Sequence, residues 1–296
     1  MGGNGNNPKL RLMPVETAEQ LRTRLEREHR AEQRQREESL EYAEADLSRV
    51  GSVPYLNAVP LTRGLEDRII FAHPSRLAEM LLADELDAAL VSVTEVLHHD
   101  RYDVLDGIAI ASLGEVKSVL LAHRRPLEEL REVHCDAASR TSVNLLKVLL
   151  AERGLKPEFP LLRSHEEAAG HDAVMLIGDQ AIEFSRAGHP HDIWDLGAAW
   201  YEMTGLPFVY AVWALRRAAD TTAIRRVLRE ARDFGMDTLD HIIRDRTEFD
   251  LDFRKDYLGW HVHYHLGVDE RRGLGLFASL LRKHGLGPVY EPRFVA

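Results

Sequence analysis

From Arg49 onward, short apolar runs alternate with helical patterns, and few chain architectures tolerate that order. Strand-like stretches are expected at Arg49–Val53, Ile69–Ala72, Leu86–Val93, Val104–Ser112, Ser118–His123, Val133–Ala137, Ala173–Ile177, Ile193–Leu196 and Pro207–Leu215. Between them fall helical patterns at Ser75–Ala83, capped by Ser75, at Thr94 (T-E-V-L) and at Leu145–Leu150. Longer helical regions follow at Thr221–Arg246 and Asp269–His284. Alternation of this kind predicts an α/β fold with mostly parallel sheets.

The segment before Arg49 reads differently. Residues 1–14 are rich in Gly and Asn and predict a flexible tail, and residues 15–46 read as a charged helix that Thr17 could cap. Leu21 and Leu25 form one apolar pair, but between Arg27 and Ser39 the only nonpolar residue is Ala31. A helix that is polar all round is solvated or held by a partner. Leu40, Ala43 and Leu47 restore some apolar character, so the segment is expected to be an appendage, either solvated or packed on a second copy of the chain.

Composition removes several classes. The net charge of −10, with no basic run interleaved with aromatics, argues against a nucleic-acid surface. No run of about 18 apolar residues offers a membrane span. The N-terminus has no apolar core of a secretory signal, and Asn6 stands where a myristoylation motif needs Ser or Thr. The single cysteine, Cys135, cannot form an internal disulfide and reads as a small buried apolar residue. A cytosolic protein is expected.

Three polar stations interrupt the apolar pattern. The first is Asn57, in the proline-punctuated turn V-P-Y-L-N-A-V-P-L after the first strand, where α/β sheets bind ligands and where Asn also forms turns readily. The second is Ser139, Arg140, Thr141 and Ser142 at a helix start, which offers free N–H groups to an anion, although one of these residues can serve as the cap. The third comprises Ser92 and Ser118 at strand ends and Asp179 after Ile177-Gly178, a ligand contact or a cap for the helix from Gln180. Together they describe a cleft of neutral donors suited to a small carboxylate.

Fifteen histidines raise the question of metal, with His261, His263 and His265 alternating in W-H-V-H-Y-H and His189 and His191 flanking Pro190. No H-E-x-x-H and no paired-Cys motif is present, so no metal site is expected. The chain also lacks G-x-G-x-x-G, a phosphate loop and G-x-S-x-G, and no cofactor is expected.

V-P-Y-L-N-A-V-P-L, S-R-T-S-V, L-I-G-D and above all G-L-P-F-V-Y-A-V-W-A (Gly205 to Ala214), in this order, resemble the chorismate dehydratases of the futalosine route to menaquinone. The resemblance runs from about Arg49 to near the C-terminus. Val59 stands where the family usually has Arg, which leaves Asn57 intact. The motif S-P-C-P-N-D of the sister dihydroxynaphthoate synthase is absent.

The resemblance implies a two-lobed fold like the periplasmic solute-binding proteins (type II) with the ligand between the lobes. Lobe one is expected to hold residues 48–112 and 268–296, and lobe two residues 113–250, with a return segment at 251–267. It implies chorismate as substrate, Asn57 and Ser118 as catalytic residues, and Ser92, Ser139, Arg140, Thr141, Ser142 and Asp179 as substrate contacts.

Overall fold

A computed structural model describes Arg22–Arg24, Glu26, Arg27, Arg30 and residues 45–296, apart from 137–139. Two compact units result, Met1–Ala43 and Glu44–Ala296. In the first, the described residues are helical, and Arg22 Nε lies 3.2 Å from Glu26 Oε1, one turn on. Thr17, Leu21, Leu25, Ala31, Leu40 and Ala43 lie outside the described residues, as does Ser139.

The second unit contains ten described strands. They are β1 (Val50–Ser52), β2 (Ile70–Phe71), β3 (Ala88–Ser92), β4 (Tyr102–Ser112), β5 (Val119–His123), β6 (His134–Cys135), β7 (Ala173–Ile177), β8 (Asp192–Asp195), β9 (Phe208–Arg216) and β10 (Arg293–Val295). The helices used below are α1 (Val59–Thr62), α2 (Pro74–Leu82), α3 (Val93–His98), α4 (Arg140–Glu152), α5 (Gly178–Arg186), α6 (Leu196–Thr204), α7 (Thr222–Asp237), α8 (Leu239–Asp245), α9 (Leu251–Asp256) and α10 (Val268–Lys283). A π-helical turn, Tyr257–His261, follows α9 directly.

The strands form two sheets, ordered β10-β4-β9-β3-β1-β2 and β6-β7-β5-β8. β9 is antiparallel to both its neighbours, and so is β5, while the remaining pairs are parallel. Each sheet is therefore parallel but for one reversed strand. The reversed strands are the two that follow a passage from one sheet to the other: β5 enters the second sheet after Ser112, and β9 returns to the first. Strand–helix alternation reports the order of elements and is silent about this reversal. β9 thus sits inside the first sheet, although its residues fall within the 113–250 span expected for lobe two.

Helices cover the sheets because each presents one apolar stripe. In α7, Ile224, Val227, Leu228, Ala231 and Gly235 are buried, the spacing of a single face. α2 packs on β3, α10 on β9, α5 on β7, and α6 on β5 and β8. Trp200, Phe208 and Phe277 meet edge to face between α6, β9 and α10. Around β5 and β7, Leu120, Ala122, Leu162, Val174 and Leu176 form an apolar cluster.

Gly235 matters for the site. A Cβ at this residue would sit 1.9 Å from the Pro60 carbonyl oxygen, so only glycine lets α7 approach α1 and the turn before it.

Three local expectations change. α2 starts at Pro74, and Ser75 lies inside it without capping it, because Pro at the first position needs no N–H partner. The expected helix Thr221–Arg246 breaks at Thr238, whose hydroxyl donates 2.7 Å to the Phe234 carbonyl. Asp179 lies within the first turn of α5, whose N-cap is Ile177 with no side-chain cap.

Candidate active site

A cleft lies between the two sheets, with about 590 Å3 of space that opens to solvent. Leu90, Ile110 and Tyr210 line it from the first sheet, and Val119 and Ile177 from the second. Its polar lining is Tyr55, Asn57, Ser92, Ser118, Ser142 and Tyr210, and among the described residues no Asp, Glu, His, Lys or Arg contributes to the wall. An apolar cavity with a few placed neutral donors is the usual form of a small-ligand site.

Asn57 sits in the 3-10 turn Leu56–Ala58 that leads from β1 into α1. Its Nδ2 donates to Tyr257 Oη at 3.1 Å. The Tyr257 hydroxyl donates to Ser118 Oγ at 2.8 Å, and Ser118 donates to the Val116 carbonyl at a long 3.4 Å. The order of donors is therefore fixed, running from amide to phenol to serine. Ser118 ends it with its proton only weakly engaged. Asn57 Oδ1 is buried and finds no partner among the described residues.

Tyr257 is fully buried, and its phenol is pushed far up by that burial, so the hydroxyl keeps its proton at any working pH. Burial also holds Tyr210 protonated, and Tyr55 is pushed up to about 12 by burial and then by Asp136 and Asp179. The phenols facing the cleft are donors, not bases.

Two longer helices begin at this cleft. Ser142 lies in the first turn of α4, and Gly178 opens α5 with φ of +59°. The positive φ is what calls for glycine here, since a Cβ on Gly178 would stand 3.8 Å from the Tyr55 ring, at ordinary van der Waals distance. Helix starts bring positive dipole ends toward the cavity, favourable for an anionic ligand.

Asn57, Ser92, Ser118 and Ser142 thus come together around one cavity. Thr141 is buried behind it, and its groups are engaged: Oγ1 takes the Thr94 N–H at 2.9 Å and meets Ser92 Oγ at 2.6 Å, while its N–H donates to Ser92 Oγ at 3.2 Å. Arg140 stands outside the lining and pairs with buried Glu95 at 3.3 Å. Asp179 accepts the Leu56 N–H, and burial, then Glu248 and Glu183, push its carboxyl up to about 6. It thereby holds the turn that carries Asn57.

Asp195 steadies the approach to Ser118. Its carboxylate accepts the N–H groups of Val116, Lys117, Gly197 and Ala198 at 2.8–3.1 Å. Sequence reasoning missed Tyr55, Tyr210 and Tyr257. Tyr257 lies 200 residues from Asn57 in the chain, and no local pattern marks it.

A family model for menaquinone biosynthesis matches residues 48–283. A chorismate dehydratase of Thermus thermophilus is 35% identical over 269 residues, which span 83% of this chain and 97% of that protein. A chorismate dehydratase of Campylobacter jejuni is 31% identical over 159 residues, 53% of this chain and 58% of that protein. Among solved structures, protein AF1704 of Archaeoglobus fulgidus superposes with a TM-score of 0.64 at 16% identity, covering 80% of this chain and 97% of that one. The alkanesulfonate-binding protein SsuA of Xanthomonas axonopodis, bound to MOPS, does so at 0.57 and 14% identity, covering 83% and 95%. These likenesses give the solute-binding-protein fold that the motifs implied. With the family matched over most of its length, the chain belongs to the menaquinone biosynthesis family.

Proposed function

We propose that the chain is a chorismate dehydratase, a hydro-lyase that converts chorismate to 3-[(1-carboxyvinyl)oxy]benzoate and water. The observation that carries this reading is the directed chain of donors from Asn57 through Tyr257 to Ser118 in a cleft walled by uncharged groups. The likeness to two chorismate dehydratases supports it.

Chorismate carries two carboxylates, a ring hydroxyl, and a proton on the carbon that bears the enolpyruvyl ether. Loss of that proton and of the hydroxyl yields one water and an aromatic ring, and aromatisation drives the reaction. The proton is acidified through the ring diene, which is conjugated to the ring carboxylate. Donors placed on that carboxylate stabilise the charge that spreads onto it. The starts of α4 and α5 face the same cavity and favour the dianion.

A general base is missing from the lining among the described residues, since its phenols hold their protons. The substrate's own enolpyruvyl carboxylate takes the ring proton in this reading. The protein contributes placement: Ser118 exchanges its long bond to Val116 for a substrate carboxylate, and Asn57 fixes the opposite side. The two sheets serve as the cores of two lobes that hold the ligand between them.

Mass-spectrometric detection of product after mixing purified protein with chorismate, without nucleotide or metal, tests the proposal. A matching loss of one water is the expected result. Tight binding of chorismate with no loss of water identifies a carboxylate-binding protein instead. Turnover of cyclic futalosine in place of chorismate identifies the sister synthase.

A further inference from the structure

We propose that His263, His265 and Glu270 form a site for one divalent transition-metal ion of the zinc, cobalt or nickel class, separate from the cleft. One nitrogen of each imidazole and one Glu270 oxygen lie within 4.8 Å of one another. Two imidazoles and a carboxylate suit this class of ion over magnesium or calcium, which prefer oxygen.

The sequence dictates the arrangement. His263 and His265 are two apart in the extended segment after the π-turn, so they project from one face. Their rings lie parallel, with centroids 5.5 Å apart and planes at 6°. The His263 backbone is pinned, exchanging hydrogen bonds of 2.8 and 3.0 Å with Ala111 at the end of β4. Glu270 comes from the first turn of α10 and is buried. Its Oε2 accepts the Gly267 N–H at 2.9 Å, leaving Oε1 3.1 Å from His265 Nε2. That backbone donor is the outer support that metal-bound carboxylates ordinarily have.

A second observation points the same way. His263 Nδ1 is buried and has no hydrogen-bond partner among the described residues. A buried orphan nitrogen is unfavourable unless something supplies its bond. Bond lengths of about 2.0–2.1 Å put the ligand atoms of one ion roughly 3.3 Å apart, so a modest ring rotation closes the set. His265, whose side chain is 60% exposed, is free to make it. The ion replaces the 3.1 Å contact between His265 Nε2 and Glu270 Oε1 and takes water on its open side. The nearby cation, Arg272, is already neutralised by Asp269 at 2.9 Å.

The cluster borders an open hollow of about 1250 Å3 with Leu113, Leu206 and Pro207. Those three residues belong to the two passages between the sheets, while the ligands themselves join the return segment to the first turn of α10. The hollow shares no lining residue with the chorismate cleft.

The test uses the full chain, stripped with a chelator and dialysed. Calorimetric titration with Zn2+ is expected to show one ion per chain, and Co2+ to give visible ligand-field bands. His265→Ala and His263→Ala are each expected to weaken binding by at least the roughly 10–100-fold that loss of an outer-shell partner alone would cause. Tm rises with Zn2+ in the unaltered chain and not in the variants, while chorismate turnover is the same with and without the ion. Absence of saturable binding at one equivalent overturns the proposal, as does binding that either folded variant leaves undiminished. His265→Ala, at an exposed side chain, keeps the test decisive if His263→Ala fails to fold.

Discussion

Tyr257 donates its hydroxyl to Ser118 across 2.8 Å, although the two residues stand 139 positions apart in the chain. The same hydroxyl accepts from Asn57, so the phenol sets the direction in which all three groups donate. Tyr257→Phe keeps the ring and its packing but removes the link. Turnover is expected to fall about 10- to 100-fold, with a stability loss of about 1–3 kcal/mol, because Ser118 loses the donor that polarises it and the Asn57 amide loses its acceptor. Steady-state kinetics with a melting curve checks this, and unchanged kcat contradicts it.

Asn57→Ala is expected to lower turnover by about 10²-fold or more, the scale of losing one placed donor. Its folding stability changes little, since the amide makes one side-chain bond. An early-melting variant whose folded fraction keeps full activity would return Asn57 to the role of turn former.

Two neighbours at the start of α4 separate by role. Ser142 lines the cleft, and Ser142→Ala is expected to raise KM while kcat holds, because the helix-start contact serves ground and transition states alike. Thr141 has its groups engaged with Ser92 and Thr94, and Thr141→Ala leaves the Thr94 N–H without its acceptor. A stability loss of about 1–3 kcal/mol is expected, measured by urea unfolding.

Asp179 gives a pH signature. Its folded pKa of about 6 stands above the ordinary value of 3.8, chiefly through burial. A raised carboxyl binds its proton more tightly when folded, so its contribution is most favourable below about 4 and is lost as pH rises through 6. Asp179→Asn keeps an oxygen for the Leu56 N–H and removes the charge. Its Tm is expected to exceed that of the unaltered chain at about pH 7.5, with the difference shrinking toward about pH 4.5. A difference that does not vary with pH contradicts the assignment.

A chain of residues 44–296 is expected to fold alone and retain nearly full turnover, since this span is a compact unit by itself. Light scattering on both lengths reports whether the segment Met1–Ala43 carries self-association. A monodisperse but inactive short form would make that segment part of the working site.

What the sequence disclosed follows from how local each cause is. β7 matches its expected span, Ala173–Ile177, because five buried apolar residues end at a glycine of positive φ. Ser92, Asn57, Ser118 and Ser142 were legible as polar breaks at strand ends and helix starts. Tyr257 was not, because a buried tyrosine in a helix reads as core until its partners from two other segments are in place. Nor was the fate of Thr141, whose partners Ser92 and Thr94 are 47 to 49 residues away. The break at Thr238 hides for the opposite reason: a Thr in a helical pattern looks ordinary until its hydroxyl bonds one turn back.

The near-contact of Gly235 with the Pro60 carbonyl sets where the Asn57 turn stands by main chain against main chain. Side chains on either helix can drift in size without moving the amide, provided the glycine stays. Gly235→Ala adds one methyl group far along the chain from every polar station, yet it should displace the turn bodily and misaim Asn57. The position of the reacting geometry is thus insured by the absence of an atom, and a variant library filtered only on cleft-lining positions would overlook it.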